Sequence, residues 1–356
     1  MAIKVLRNRN ILILLLVIAI LVACQPTTIS EDGVNELQSD GSSQTIDEQT
    51  TASGYNDQEL LNPSLIISDS VEYRLQQNIK LVNHGPGSPS KQNLWVALIS
   101  DDAPYQEVLE REISPSSYQI VFDEYGNEIA EFDFSEMPPD SEIQVRIDYQ
   151  VKVNQVAADL STCFGELPDI YTDAELHIES ENPQIISLSR DLAKDYQSIC
   201  EQVRAFYDFI GQELVYSYNG GNWGAQAALG AMGADCTEYS SLMIALSRAA
   251  GIPARYIEGL SFTPEGDEAL ARQEHAWVEV YLPGIGWTPM DPTMGRSPVN
   301  RDRYFGKLPA DHIIVSRGRN PSTLRGASYW TYIYWPGNSA QIKIEEGDWN
   351  IEQVAD

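Results

Sequence analysis

Cys236 is the fourth residue of the stretch "GADCTEYSSLMIALSRAAGIPAR", residues 233–255, directly behind Asp235. Asp235 is a good helix N-cap and Glu238 lies three residues on, an Asp version of the capping box. Cys236 is then the first helical residue, where backbone N–H groups lack intrahelical partners and the helix dipole favours a thiolate. The Asp235 carboxylate acts in the opposite sense, so the dipole alone does not decide the charge. Leu242, Ala245, Leu246 and Ala249 predict one buried stripe, Gly251 suits the C′ position, and Pro253 prevents continuation.

A thiol nucleophile needs a base, and the base needs an orienting group. The chain has only four histidines. His275 opens "HAWVEVYLPGIGWTPMDPT". Its alternation sends His275, Trp277, Glu279 and Tyr281 one way and Ala276, Val278 and Val280 the other. "PGIG" reads as a turn, and the returning strand ends at Asp291-Pro292. A four-residue loop over Pro283–Gly286 would set Asp291 opposite Val278, on the wrong face. An odd loop or a bulge between residues 282 and 291 would restore the pairing, and Pro289 suits a bulge or a strand end.

"GADCTEYSSLMIALSRAAGIPARYIEG", "HAWVEVYLPGIGW" and "DPT" resemble the core motifs of the bacterial transglutaminase-like superfamily, within the papain-like class of Cys-His-Asp enzymes. The order and the spacings of 39 and 16 residues fit over roughly residues 180–295. The resemblance implies an α+β core in which the cysteine helix packs on an antiparallel sheet. It also implies Cys236 as nucleophile, His275 as base and Asp291 as orienter. The activity implied is acyl transfer at a protein or peptide amide through a thioester. An amine acceptor makes this cross-linking and water makes it a protease or amidase, with the same triad. A catalytically silent surface binding or scaffold protein is the reading from another class. For the oxyanion, the Cys236 N–H is one donor, and Trp223 and Gln226 are candidates for the second, against ordinary packing and solvent exposure. Arg255 reads as an ion-pair partner rather than a substrate clamp.

The elements that must position these groups follow from texture. Residues 1–24 carry Lys4, Arg7 and Arg9, an apolar run of 13 residues and "LVAC". The run is too short to span a bilayer and reads as a signal peptide. "LVAC" resembles a bacterial lipobox, which implies cleavage before Cys24 and a lipid on that residue. The expected protein is exported and lipid-anchored, at a cell surface or on the periplasmic side of a membrane. Residues 25–62 are polar and poor in aromatics, a flexible linker. Residues 63–156 alternate as half-buried strands, and an immunoglobulin-like β-sandwich is expected there. Residues 157–312 form the expected catalytic domain, with helical texture from Asn182-Pro183 and a stripe at Ile199, Val203, Phe206 and Ile210. Residues 313–356 read as a C-terminal β extension, and "SFTPEGDEALARQE" before His275 as a surface loop.

Export permits disulfides. With Cys24 lipidated and Cys236 free, Cys163 and Cys200 are the natural pair; two unpaired, inert thiols are the alternative. The formal charge of −29 becomes about −32 without the leader, a field that repels nucleic acid and anionic lipid. The partners expected are therefore a protein or peptide substrate and, through the Cys24 lipid, a membrane, with no nucleic acid. No metal site is expected, because there is no HExxH or paired-Cys spacing and His84, His177 and His312 are scattered. No nucleotide fingerprint suggests a cofactor.

Overall fold

The protein's structure, a computed structural model, describes residues 65–218, 223–230, 233–262, 274–337, 339–347 and 349–354. The leader with Cys24, the 25–62 linker and residues 263–273 of the loop before His275 lie outside the described residues.

Two long strands, β1 (Leu65–Asn83) and β6 (Ser141–Ala158), pair antiparallel along their whole length. From Val71 to Asn83 the sequence alternates, and Tyr73, Leu75, Ile79 and Leu81 are buried on one face. β3 (Gln106–Ser114) and the two-residue β10 (Lys307–Leu308) pair with β6 and extend the sheet. A second sheet contains β2 (Lys91–Ala97), β4 (Gln119–Phe122) and β5 (Glu128–Asp133). The β4–β5 turn uses Gly126 at φ +81°. Leu94 and Val96 of β2 and Ile129 and Phe132 of β5 share one core with the inner residues of β1 and β6, as in two sheets packed face to face.

A third, antiparallel sheet has the order β11-β7-β8-β9, from β7 (Ala254–Ser261), β8 (Glu274–Leu282), β9 (Gly286–Met290) and β11 (His312–Arg317). Among the described residues four α-helices accompany it: α1 (Pro183–Ala193), α2 (Ile199–Glu213), α3 (Ala225–Ala228) and α4 (Cys236–Ala249). The fold is thus α+β, with the cysteine helix on an antiparallel sheet. α4 contacts β7 and β8 on one side and all three other helices on the rest of its surface. The expectation of a single apolar stripe therefore fails: every residue from Glu238 to Arg248 is buried. Its polar residues are satisfied, with Ser240 donating to the Ala276 carbonyl at 3.1 Å and Ser247 to that of Met243 at 2.8 Å.

The C-terminal segment is divided between sheets instead of forming one extension. A boundary at 312 falls at the first residue of β11, which pairs with β7. The strands after it return to the first half of the chain. β12 (Trp330–Trp335) pairs with β2, and β13 (Ile342–Glu346) and β14 (Asn350–Gln353) pair with β1.

The third sheet is fastened to the sandwich by polar contacts. Arg317 of β11 bonds to Asp102 of the sandwich and lies 3.5 Å from Glu279, which forms a buried pair at 2.7 Å with Arg255 inside the third sheet. Burial disfavours the Glu279 charge, but Arg255 and Arg317 outweigh it and bring its pKa down to about 2. Gln106 acts as a surrogate strand residue beside β11: Oε1 accepts from Ile314 N at 2.8 Å and Nε2 donates to Ile314 O at 2.9 Å. A disulfide joins Cys163, just beyond β6, to Cys200 in α2, with Cα atoms 6.1 Å apart.

Candidate active site

α4 begins at Cys236 with Asp235 as N-cap. The Asp235 side chain accepts from Thr237 N at 3.1 Å, and Glu238 reaches back to Asp235 N at 2.9 Å. The thiol is half-buried. Its pKa is pushed well above the ordinary value, first by burial and then by the carboxylates of Asp235, Glu258 and Asp291. The helix dipole loses this contest, so Cys236 rests as a thiol and needs a base to become a nucleophile. One group works the other way: the Ala276 amide faces the sulfur and favours thiolate.

That amide explains how helix and sheet meet. β9 pairs with β8 only as far as Val278↔Met290. At Ala276, one step nearer the start of β8, the first turn of α4 takes the place of β9. The Cys236 sulfur meets the N–H and Ser240 bonds to the carbonyl. The sulfur is therefore approached in the hydrogen-bonding direction of the sheet rather than from either face.

His275 shares its face of β8 with Trp277, their rings stacked at 5.9 Å. Across the strand pair stands Gly259, where a Cβ would lie 2.4 Å from the Trp277 ring and 2.2 Å from the Ile313 carbonyl. Only glycine permits that approach.

The hairpin's parity is settled by its loop. Leu282 pairs with Gly286, so the turn has three residues, Pro283–Ile285, rather than four. The odd count sets Met290 opposite Val278 and turns Asp291, the next residue, to the His275 face. Gly284 makes the tight turn at φ +78°, where a Cβ would also strike the Phe164 carbonyl at 2.5 Å.

Asp291 is fully buried and accepts on both oxygens. Oδ1 takes the N–H groups of Thr293 at 2.8 Å and Met294 at 2.9 Å, and Oδ2 lies 2.7 Å from His275 Nε2. Burial would raise its pKa, but His275 and His312 hold it far below the usual carboxylate range. Its own backbone carbonyl accepts from the Tyr207 hydroxyl at 3.1 Å. With Nε2 committed to Asp291, Nδ1 is the nitrogen left to exchange a proton with a thiol. Among the described residues no hydrogen bond joins the Cys236 sulfur to this ring in the resting structure.

His312 was expected among the scattered histidines, and the structure corrects this. It lies 21 residues beyond Asp291, and its Nε2 is 3.2 Å from the same Oδ2. Nδ1 is 2.5 Å from Asp311 Oδ1. No local pattern signals this; only the pairing of β11 with β7 brings it in. His275, Asp291 and His312 offer ligand atoms within 4.8 Å of one another, close enough to suggest a metal. The contacts fit hydrogen bonding instead. Both His312 nitrogens face carboxylate oxygens, so both carry protons, and an imidazolium has no lone pair for a metal.

Trp223 and Gln226 are not brought forward as free backbone donors. Trp223 N donates to Glu238 Oε1 at 3.2 Å, and Gln226 N donates to Glu179 Oε2 at 3.1 Å, with the Gln226 side chain exposed.

Residues 186–292 match the family model of the transglutaminase-like superfamily. They are a transglutaminase-like domain. A stretch of 143 residues is 27% identical to the uncharacterized protein YebA of Bacillus subtilis, covering 35% of this chain and 19% of the relative. Another of 68 residues is 41% identical to a protein-glutamine gamma-glutamyltransferase of Pseudomonas aeruginosa, covering 18% of this chain and 10% of the relative. The chain thus spans less than a fifth of either curated relative. A solved candidate cysteine protease from Cytophaga hutchinsonii shares the fold at TM-score 0.59 and 16% identity, over 82% of this chain and 92% of that one. The family match identifies the domain, and the Cytophaga structure adds likeness of fold alone. Among the described residues no helix is long and apolar enough to cross a membrane.

Proposed function

We propose that the protein is an exported, lipid-anchored cysteine acyltransferase acting on protein or peptide amides through a thioester. The observation that carries this reading is the buried His275–Asp291 pair at 2.7 Å, with the Cys236 thiol at the start of α4 facing the amide of Ala276, the residue after His275. Cys236 Sγ gives its proton to His275 Nδ1 and bonds to the amide carbonyl carbon, whose π electrons move to oxygen. The Cys236 backbone N–H, unused within the helix, steadies that oxyanion. The C–N bond then breaks, and the departing ammonia or amine takes the proton from His275, leaving a thioester. An acceptor amine attacks the thioester carbonyl carbon while His275 takes its proton; the C–S bond then breaks and His275 returns that proton to sulfur. Asp291 accepts from Nε2–H throughout and holds the base in the required tautomer. The lipobox at Cys24 and the polar linker after it support export and tethering; the gamma-glutamyltransferase name of the Pseudomonas relative favours transfer over hydrolysis.

The test is incubation with a glutamine-containing peptide, with and without a fluorescent amine, alongside Cys236→Ala. Amine incorporation with ammonia release, absent in the variant, is expected. Hydrolysed peptide alone would make the enzyme an amidase, and no Cys236-dependent product under either condition would sink the reading.

A further inference from the structure

His312 is buried, titratable and unused by the mechanism above, yet it touches the group that orients the base. Its surroundings are built for a cation. Nδ1 lies 2.5 Å from Asp311 Oδ1 and Nε2 lies 3.2 Å from Asp291 Oδ2. The Trp277 ring stands edge-on at 5.0 Å and Tyr304 lies at 5.9 Å, with centroids as reference. His275 is 5.6 Å away, ring to ring. The segment is clamped from the sandwich at both ends: Tyr73 donates to the Ala310 carbonyl at 2.8 Å, and Gln106 holds both backbone groups of Ile314.

We propose that His312, held as an imidazolium by Asp311, is a positioning residue that anchors the Asp291 carboxylate and so orients His275. This rests on the proposed triad and adds a fourth and fifth member to it. Two donors then converge on Oδ2 and two backbone N–H groups on Oδ1, so the carboxylate cannot rotate. The cation also offsets part of the Asp291 charge that His275 meets. Burial opposes a charge on His312, but Asp311 and Asp291 outweigh it and push its pKa up to about 9. The titratable groups facing it are Asp311, Asp291, His275 and Tyr304, with Tyr73 across Asp311.

The test is the pH dependence of Cys236 alkylation by iodoacetamide in the full chain, read by mass spectrometry of the Cys236 peptide. It needs no substrate. Wild type, His275→Ala, His312→Gln and Asp311→Asn are compared, each first shown to melt cooperatively. Removing a nearby cation disfavours loss of a proton from the Cys236–His275 pair as a whole. The limb that rises with pH should therefore move upward by about one to two pH units in His312→Gln, judged from one charge at this separation. The pH 7 rate should fall about tenfold. Asp311→Asn, which keeps the ring but weakens its charge, should move the limb the same way by less. A purely structural role would lower the melting temperature without moving the limb.

An unchanged limb in a folded His312→Gln overturns the proposal while leaving the triad intact. Alkylation indifferent to His275→Ala overturns the triad itself. If a chelator abolishes the wild-type profile and zinc restores it, the cluster is a metal site and the proposal also falls.

Discussion

Replacing Asp291 by its isostere Asn should be more damaging to turnover than removing the side chain. Four donors surround this carboxylate: Thr293 N and Met294 N at Oδ1, and His275 and His312 at Oδ2, all at 2.7–3.2 Å. An amide offers one acceptor and one donor. If its oxygen keeps the backbone N–H groups, its NH2 meets two imidazole donors. His275 must then shift its proton to Nδ1, where it can no longer take one from the thiol. If the amide flips, the NH2 meets two backbone N–H groups instead. Either way two charge-assisted hydrogen bonds are lost, costing about 3–5 kcal/mol of stability. The tautomer change is worth about 10²–10⁴ in turnover by analogy with other triads. Asp291→Ala leaves His275 free to sample the productive tautomer and should lose less, about 10–10². The assays are a urea melt, amine incorporation into a glutamine peptide, and Cys236 alkylation at pH 7. If Asp291→Asn stays within a factor of ten of wild type, or outperforms Asp291→Ala, the division of donors between the two oxygens does not set the tautomer.

Three further outcomes are expected. The Cys163–Cys200 bridge closes a separation of 37 residues, so the double Cys→Ala variant should lose about 2–4 kcal/mol; an unchanged thermal midpoint would show that the bond does not constrain the chain. Glu279→Gln leaves Arg255 and Arg317 buried beside a neutral group and should cost about 3–5 kcal/mol, whereas equal stability by urea melt would mean the cluster is dispensable. Stability should also depend on pH with a defined sign. The Glu279 contribution is present above about 4.5 and lost as pH falls through about 2. That of His312, raised from 6.5 to about 9, is complete below 6.5 and lost as pH rises through 9. The rise is worth about 3 kcal/mol. Urea midpoints should therefore peak between these limits, and the alkaline decline should flatten in His312→Gln.

The sequence alone determined what depends on neighbours along the chain. The start of α4 was legible because Asp235 and Glu238 cap it within four residues, and the shared face of His275 and Trp277 on β8 because side chains alternate whatever the partner strand; that both faces of β8 are buried was not. The odd parity of the His275–Asp291 hairpin was deducible as a requirement, but not its cause. Gly286 can serve as turn or as strand, and pairing with Leu282 decides for strand. Tertiary structure decided the rest. It buried α4 on every side, since three helices and a sheet surround it and no periodicity within one helix reports its neighbours. It sent β12, β13 and β14 back to β1 and β2, a choice made by edges left unpaired more than 200 residues earlier. It placed the thiol at the Ala276 amide, because β9 ends one step short and leaves that amide to α4. And it brought His312 to Asp291: a histidine in an ordinary strand sequence becomes an imidazolium only where two carboxylates from different segments close around it.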